Sequence, residues 1–255
     1  MKTGDGQGAI DSKEQIEVEE RQRTMNRDQG LAIVNHFFPG TGATYDHMVN
    51  LCTLGFDRWW KREMLNKIPK GSRRIMDQAC GTGILTFKIA QEFPRSQVTG
   101  VDVTEEYLDI AREKAGNLKV ENVRFMAGRA EDITLEHGFD CITSSYLAKY
   151  AELGTLVRNA KVMLREGGIL IIHDFTYPSN RAFAPIWELY FKLLQTAGTW
   201  YYPQWKAIFD GLPGFLRETK WVSALVQTLQ ENLFSDIQVK SLTLGTAAIV
   251  TAKKG

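Results

Sequence analysis

Between Arg74 and Phe175 the apolar residues fall into short continuous runs. The runs are separated by longer stretches in which apolar residues recur every three or four positions. The runs at 74–79, 97–102, 122–126, 139–144 and 169–175 predict strands, and the stretches at 84–93, 104–115 and 152–165 predict helices. Thr104 is suited to cap its helix, with Glu105 and Glu106 placed in the first turn near the positive end of the helix dipole. Gly167-Gly168 reads as the stop of the third helix. Strands alternating with helices of this length imply a parallel sheet covered on both faces.

The flanks differ. From Leu31 to Pro69 amphipathic spacing predicts two helices separated by Pro39-Gly40-Thr41-Gly42. Residues 1–29 are polar and charged, and read as a flexible arm. After Pro178 the alternation lapses. Eleven of the chain's 27 aromatic residues lie between Arg181 and Trp221, so apolar packing or binding is concentrated there. A helix is expected over 221–233. Strands over 236–244 and 247–253, joined at Gly245-Thr246, then read as an antiparallel hairpin.

Charge and composition narrow the classes. With 31 basic and 30 acidic residues, the chain lacks the basic excess of a nucleic-acid binder. No apolar run reaches the length of a membrane-spanning helix. The first 30 residues lack the apolar core of a signal peptide. Cys52, Cys80 and Cys141 are scattered and odd in number, which fits a reducing, cytoplasmic setting rather than a disulfide framework. The four histidines do not pair with cysteines at metal-ligand spacing, so no metal is expected.

The candidate chemistry starts at the first strand's end. Asp77-Gln78-Ala79-Cys80-Gly81-Thr82-Gly83 is a turn whose glycines let the backbone approach a ligand. The second strand ends at Asp102, a carboxylate placed to accept hydrogen bonds from a ribose diol. Such a loop serves nicotinamide, flavin or S-adenosylmethionine (SAM). The nicotinamide pattern needs glycine at position 86, where Thr86 stands. Asp77 suits a methionyl ammonium and would repel a pyrophosphate. Gly128-Arg129-Ala130-Glu131-Asp132 follows the third strand and offers backbone amides and a carboxylate to an adenine.

Taken together, Asp77 to Gly83, Asp102, Ala130 to Asp132 and Phe139 to Ile142 resemble the class I SAM-dependent methyltransferases. The resemblance implies an α/β, Rossmann-like fold: a seven-stranded, mostly parallel sheet with a C-terminal antiparallel hairpin and helices on both faces. It implies SAM as cofactor, held by Tyr45, Asp77, Ala79, Gly81, Gly83, Asp102, Val103, Ala130, Glu131 and Ser144. It also implies one methyltransferase domain over 30–255, with a helical cap over 30–70 and an aromatic-rich substrate lid over 178–233.

Tyr45-Asp46-His47-Met48-Val49-Asn50-Leu51, Gly55 to Arg62 and Ala79 are similar to the opening helices and loop of the ubiquinone/menaquinone biosynthesis C-methyltransferases. The acceptor implied is a small, lipophilic aromatic molecule resembling a quinone precursor. One departure weakens that assignment. The family's Arg-Asn pair after the fourth strand is matched here by Lys149 and Tyr150. Arginine to lysine loses the planar fork. Lys149, Tyr150, His173 and Asp174 are the catalytic candidates, His173 because its ordinary pKa lies near neutrality. Tyr45 is expected near the cofactor and Trp59 in the core. The alternatives are an O- or N-methyltransferase of a small molecule or phospholipid, and a non-catalytic SAM-binding protein. Trp200-Tyr201-Tyr202 is compatible with a peripheral membrane contact, and a homodimer is compatible with the chain.

Overall fold

The computed structural model describes residues 28–255, so most of the charged arm expected over 1–29 lies outside the described residues. Helical residues 28–37 (α1) lead into α2 (Tyr45–Cys52) and α3 (Phe56–Leu65). The central unit then runs β1 (Arg74–Gln78), α4 (Ile84–Glu92), β2 (Gln97–Asp102), α5 (Glu105–Leu118), β3 (Val123–Ala127), β4 (Phe139–Ser145), α6 (Leu153–Met163) and β5 (Leu164–Phe175). Helices α7 (Ala184–Leu193), α8 (Thr199–Tyr201), α9 (Lys206–Glu218) and α10 (Trp221–Glu231) follow. Strands β6 (Phe234–Leu242) and β7 (Ala247–Lys254) end the chain.

The seven strands form one sheet in the order β3-β2-β1-β4-β5-β7-β6. Strands β1 to β5 are parallel, and β7 lies antiparallel between β5 and β6. The parallel strands therefore end on one edge, at Gln78, Asp102, Ala127, Ser145 and Phe175. Side chains of a strand alternate between faces. Ile75, Cys141 and Ile171 pack on one side against Trp60, Met64, Leu85 and Ile89 of α3 and α4. Met76, Ile142 and Ile172 pack on the other against Val157, Ala160, Leu225 and Leu229 of α6 and α10. A third cluster joins Phe37 and Met48 to Trp187, Phe191, Trp205 and Phe209 of the aromatic segment. That segment is helical and mostly self-packed, with Trp200 and Tyr201 left exposed.

Three expectations change. Past the Pro39–Gly42 break the chain forms two helices rather than one, because Leu54 (φ 50°) and Gly55 (φ 79°) adopt the left-handed region between α2 and α3. Helix α6 stops at Met163 rather than at Gly167-Gly168, and both glycines lie inside β5. At Gly168 a Cβ would meet the Arg165 and Phe139 carbonyl oxygens at 2.8 and 3.0 Å, so glycine serves close strand approach. Trp59 is 43% exposed, and its neighbour Trp60 fills the core at 2%.

Candidate functional site

The turn after β1 uses the left-handed region three times, at Ala79 (φ 53°), Gly81 (φ 55°) and Gly83 (φ 86°). Ala79 is the costly one, since a Cβ there costs about 1–2 kcal/mol. A Cβ at Gly83 would stand 2.4 Å from the Phe87 ring. The turn delivers backbone to a cleft and seats Asp77 beneath it. The Asp77 carboxylate accepts hydrogen bonds from Thr86 Oγ1 (2.6 Å) and Thr143 Oγ1 (2.9 Å). Thr86, the residue that breaks the nicotinamide pattern, thus orients the carboxylate. Burial dominates over these bonds and pushes the Asp77 pKa up to about 6.

Asp102 ends β2 and accepts from the Gly81 N–H (2.8 Å) through one oxygen and the Thr104 N–H (2.8 Å) through the other. Its carboxylate is buried and its pKa raised by that burial. A carboxylate has about four acceptor sites, so two remain for a ligand.

Two adjoining recesses open on this edge. The larger is lined by Tyr45, Ala79, Gly81, Asp102, Val103, Ala130, Glu131, Tyr146 and Tyr150, among others. The smaller is lined by Lys61, Asp77, Ala79, Tyr45, Ser145 and Tyr146, with Cys80 and the start of α4. They meet at Tyr45, Ala79, Ser145 and Tyr146. Tyr45 packs on Tyr107 (centroids 5.0 Å) and Trp205 (6.0 Å), so the aromatic segment closes against α2 above the cleft. Glu131 is buried and lies 3.3 Å from Arg129.

Of the residues expected around the cofactor, Tyr45, Ala79, Gly81, Asp102, Val103, Ala130 and Glu131 are brought together, with Asp77 in the adjoining recess. Gly83 shapes the turn without lining either space. Ser144 is displaced. By strand alternation its hydroxyl points to the α6 side, where it is buried without a hydrogen-bond partner, and Ser145 lines both recesses instead.

The catalytic candidates separate. Tyr150 lines the larger recess and stacks on Phe215 (5.3 Å, 13°). Lys149 and Asp174 are spent on each other: Lys149 Nζ stands 2.6 Å from Asp174 Oδ1, with both side chains buried. Asp174 also accepts from the backbone N–H groups of Lys149 (3.1 Å) and Phe175 (2.7 Å). Neither lines the two recesses, and the pair braces β5 to the loop after β4. His173 is fully buried behind Ser145, 2.9 Å from its hydroxyl. Burial, then Lys61 and Lys149, hold its pKa well below the usual histidine range.

A second cluster was not foreseen. Lys61 on α3 is buried and donates to Asp57 (2.8 Å) and to Ser145 Oγ (2.6 Å). The Tyr146 hydroxyl donates to the same Asp57 oxygen (2.6 Å), and Lys61 Nζ lies 4.1 Å from the centre of the Tyr146 ring. Tyr146 has φ 69°, a strained conformation for a bulky residue of the kind that clusters at functional sites. Asp57 lies 89 residues from Tyr146, and Lys61 lies 84 from Ser145, so spacing could not reveal the network, although Lys149, three residues on, also donates to the Tyr146 carbonyl (3.0 Å). The one available signal was a charged pair, Asp57 and Lys61, four apart on an otherwise apolar helix face.

Sheet order, the glycine turn and the strand-end carboxylate together define a class I SAM-dependent methyltransferase. The profile of the ubiE/COQ5 methyltransferase family matches residues 23–254, and the chain belongs to that family. It is 29% identical over 169 residues to a demethylmenaquinone methyltransferase of Deinococcus radiodurans, covering 65% of this chain and 69% of the relative. It is 24% identical over 221 residues to one from Staphylococcus aureus, covering 85% and 90%. In fold it is similar to the SAM-dependent methyltransferase SibL (TM-score 0.61, 18% identity, 85% of this chain and 60% of SibL). It is also similar in fold to a phosphoethanolamine N-methyltransferase of Haemonchus contortus (TM-score 0.57, 16% identity, 76% and 52%).

Proposed function

We propose that the chain transfers the methyl group of SAM to an apolar aromatic acceptor, with a quinone-precursor-like ring as first choice. The observation that carries the donor half is the Asp77–Gly83 turn with Asp102 beside it. A buried carboxylate with a raised pKa favours a cation next to it, and the methionyl ammonium is that cation. Lys61 spends two of its three N–H groups on Asp57 and Ser145, which leaves one for the methionyl carboxylate. Asp102 retains lone pairs for the ribose diol, and Val103, Ala130 and Glu131 border the space for the adenine.

The acceptor half rests on the family's relatives and on an apolar recess between α2, α3 and α7, lined by Trp60, Phe175, Phe183, Trp187 and Tyr190 among others. A predominantly apolar and aromatic lining with few polar groups is the character of a small-molecule site. The sulfonium supplies an activated methyl group whose positive charge disappears as the new bond forms. What the protein adds is position and dryness: Tyr45 and Tyr146 wall the cleft against water. No described helix is long and apolar enough to cross a membrane.

The test has two stages. Calorimetry with S-adenosylhomocysteine, the demethylated product, is expected to show one site per chain. Incubation with methyl-labelled SAM and a lipid extract, read by mass spectrometry, is expected to label an apolar aromatic product. Label confined to water-soluble products would remove the acceptor assignment.

A further inference from the structure

The donor recesses and the apolar recess lie on opposite sides of one aromatic stack. Tyr146 lines both donor recesses, and Phe175 lines the apolar one. The two rings stack at 4.5 Å and 13°, and Trp60 meets Phe175 edge-on at 5.8 Å. Tyr146 is held in place from several directions. Its hydroxyl is bonded to Asp57, its backbone N–H donates to His173 O at 2.9 Å, and Lys61 sits over its ring. All these partners are buried, so the partition is a built feature of the protein interior.

We infer that Tyr146 is a specificity-determining partition: its ring separates the methyl donor from an acceptor site in the apolar recess, and its hydrogen bond to Asp57 latches the ring in place. An acceptor reaches the methyl group only when this ring swings off Phe175. The residue at 146 therefore sets how large a reactive head can pass. The ligand expected in the recess is an uncharged aromatic molecule. Its wall is mostly aromatic and aliphatic, and the hydroxyls of Thr53, Thr243, Thr246 and Tyr190 among its lining residues are already hydrogen-bonded within the protein. Ile186, 61% exposed, stands at its mouth. The inference rests on the donor reading above.

The experiment measures two ligands on the full chain: S-adenosylhomocysteine by calorimetry and the neutral probe N-phenyl-1-naphthylamine by fluorescence. In the wild type each is expected to bind without altering the other's affinity. Tyr146→Gly removes the ring, and glycine suits the positive φ, so this variant adds no backbone strain. In it each ligand is expected to change the other's affinity about fivefold or more, and reciprocally. Tyr146→Phe keeps the ring but cuts the latch, and is expected to couple the ligands more weakly. Ile186→Asp, at an exposed position, is expected to weaken the probe about fivefold by placing a charge at the mouth. Independent binding in Tyr146→Gly, coupling already present in the wild type, or an Ile186→Asp variant that binds the probe normally would overturn the inference. Failure of the wild type to bind S-adenosylhomocysteine would instead sink the donor reading.

Discussion

Burial lifts the Asp77 pKa from 3.8 to about 6, against two threonine hydroxyls and Lys61, which lower it. A carboxyl with a raised folded pKa binds its proton more tightly in the folded state. Its contribution to stability is complete below the unfolded value and is lost as pH rises through the folded one. In the ligand-free protein, Asp77 should therefore cost stability as pH climbs from about 4 to above 6. Asp77→Asn should recover up to about 3 kcal/mol at pH 8. The same variant should bind SAM at least about tenfold more weakly, having lost the partner of the ammonium. Thermal melts across pH 4–8, with and without ligand, would show both effects, and a flat difference between variant and wild type would refute this account of Asp77. Asp102→Ala should cost SAM about tenfold or more in affinity through the lost ribose bonds. Calorimetry showing no change would exclude Asp102 from the site.

Strand ends and the loops behind them are held by a different device, the buried Lys149–Asp174 pair. Breaking such a pair from one side leaves an uncompensated charge in the interior. Lys149→Met is expected to lower stability by about 3–5 kcal/mol. That corresponds to a fall in Tm of roughly 10 °C. Lys149→Met with Asp174→Leu should recover much of it. A single variant that melts like the wild type would show that the pair is solvated and unimportant. This is also the scale at which the sequence spoke most clearly. Alternating apolar runs placed every strand of the sheet, and the Asp77–Gly83 turn and Asp102 named the ligand edge. What it concealed was parity and pairing. Ser144 and Ser145 differ only in which face of β4 they occupy, and one position decides which of them reaches the cleft. Lys149 and Asp174 each suited chemistry until their juxtaposition consumed both. The α2–α3 break was hidden because Leu54, an ordinary helix former, takes the left-handed region there while its side chain stays exposed.

At the level of the whole molecule, the donor site draws on α2, α3, the β1 and β2 ends and the loops after β3 and β4. A ligand bound there joins elements distant in sequence. S-adenosylhomocysteine at a hundredfold excess over its Kd should stabilise the fold by about 2.7 kcal/mol. The expected rise in Tm is roughly 5–10 °C. No shift at saturation would mean that the cleft does not hold the ligand. The order of the sheet carries a consequence of another kind, for how the chain assembles. Strands β1 and β2 pair at a separation of 23 residues, but β4 joins β1 across 66 (Ile75 to Cys141), and β7 travels back past the whole aromatic segment to join β5 across 72 (Phe175 to Ala247). Each of these two long closures costs chain entropy that the local pairings do not. The hairpin of β6 and β7 can form locally beforehand, but the aromatic helices are tethered at both ends only once it docks. The half of the protein that grips the donor is closed by the β1–β4 pairing. The half that holds the apolar recess is closed by β7 on β5, so the two sides of the Tyr146–Phe175 stack each depend on their own distant strand pairing.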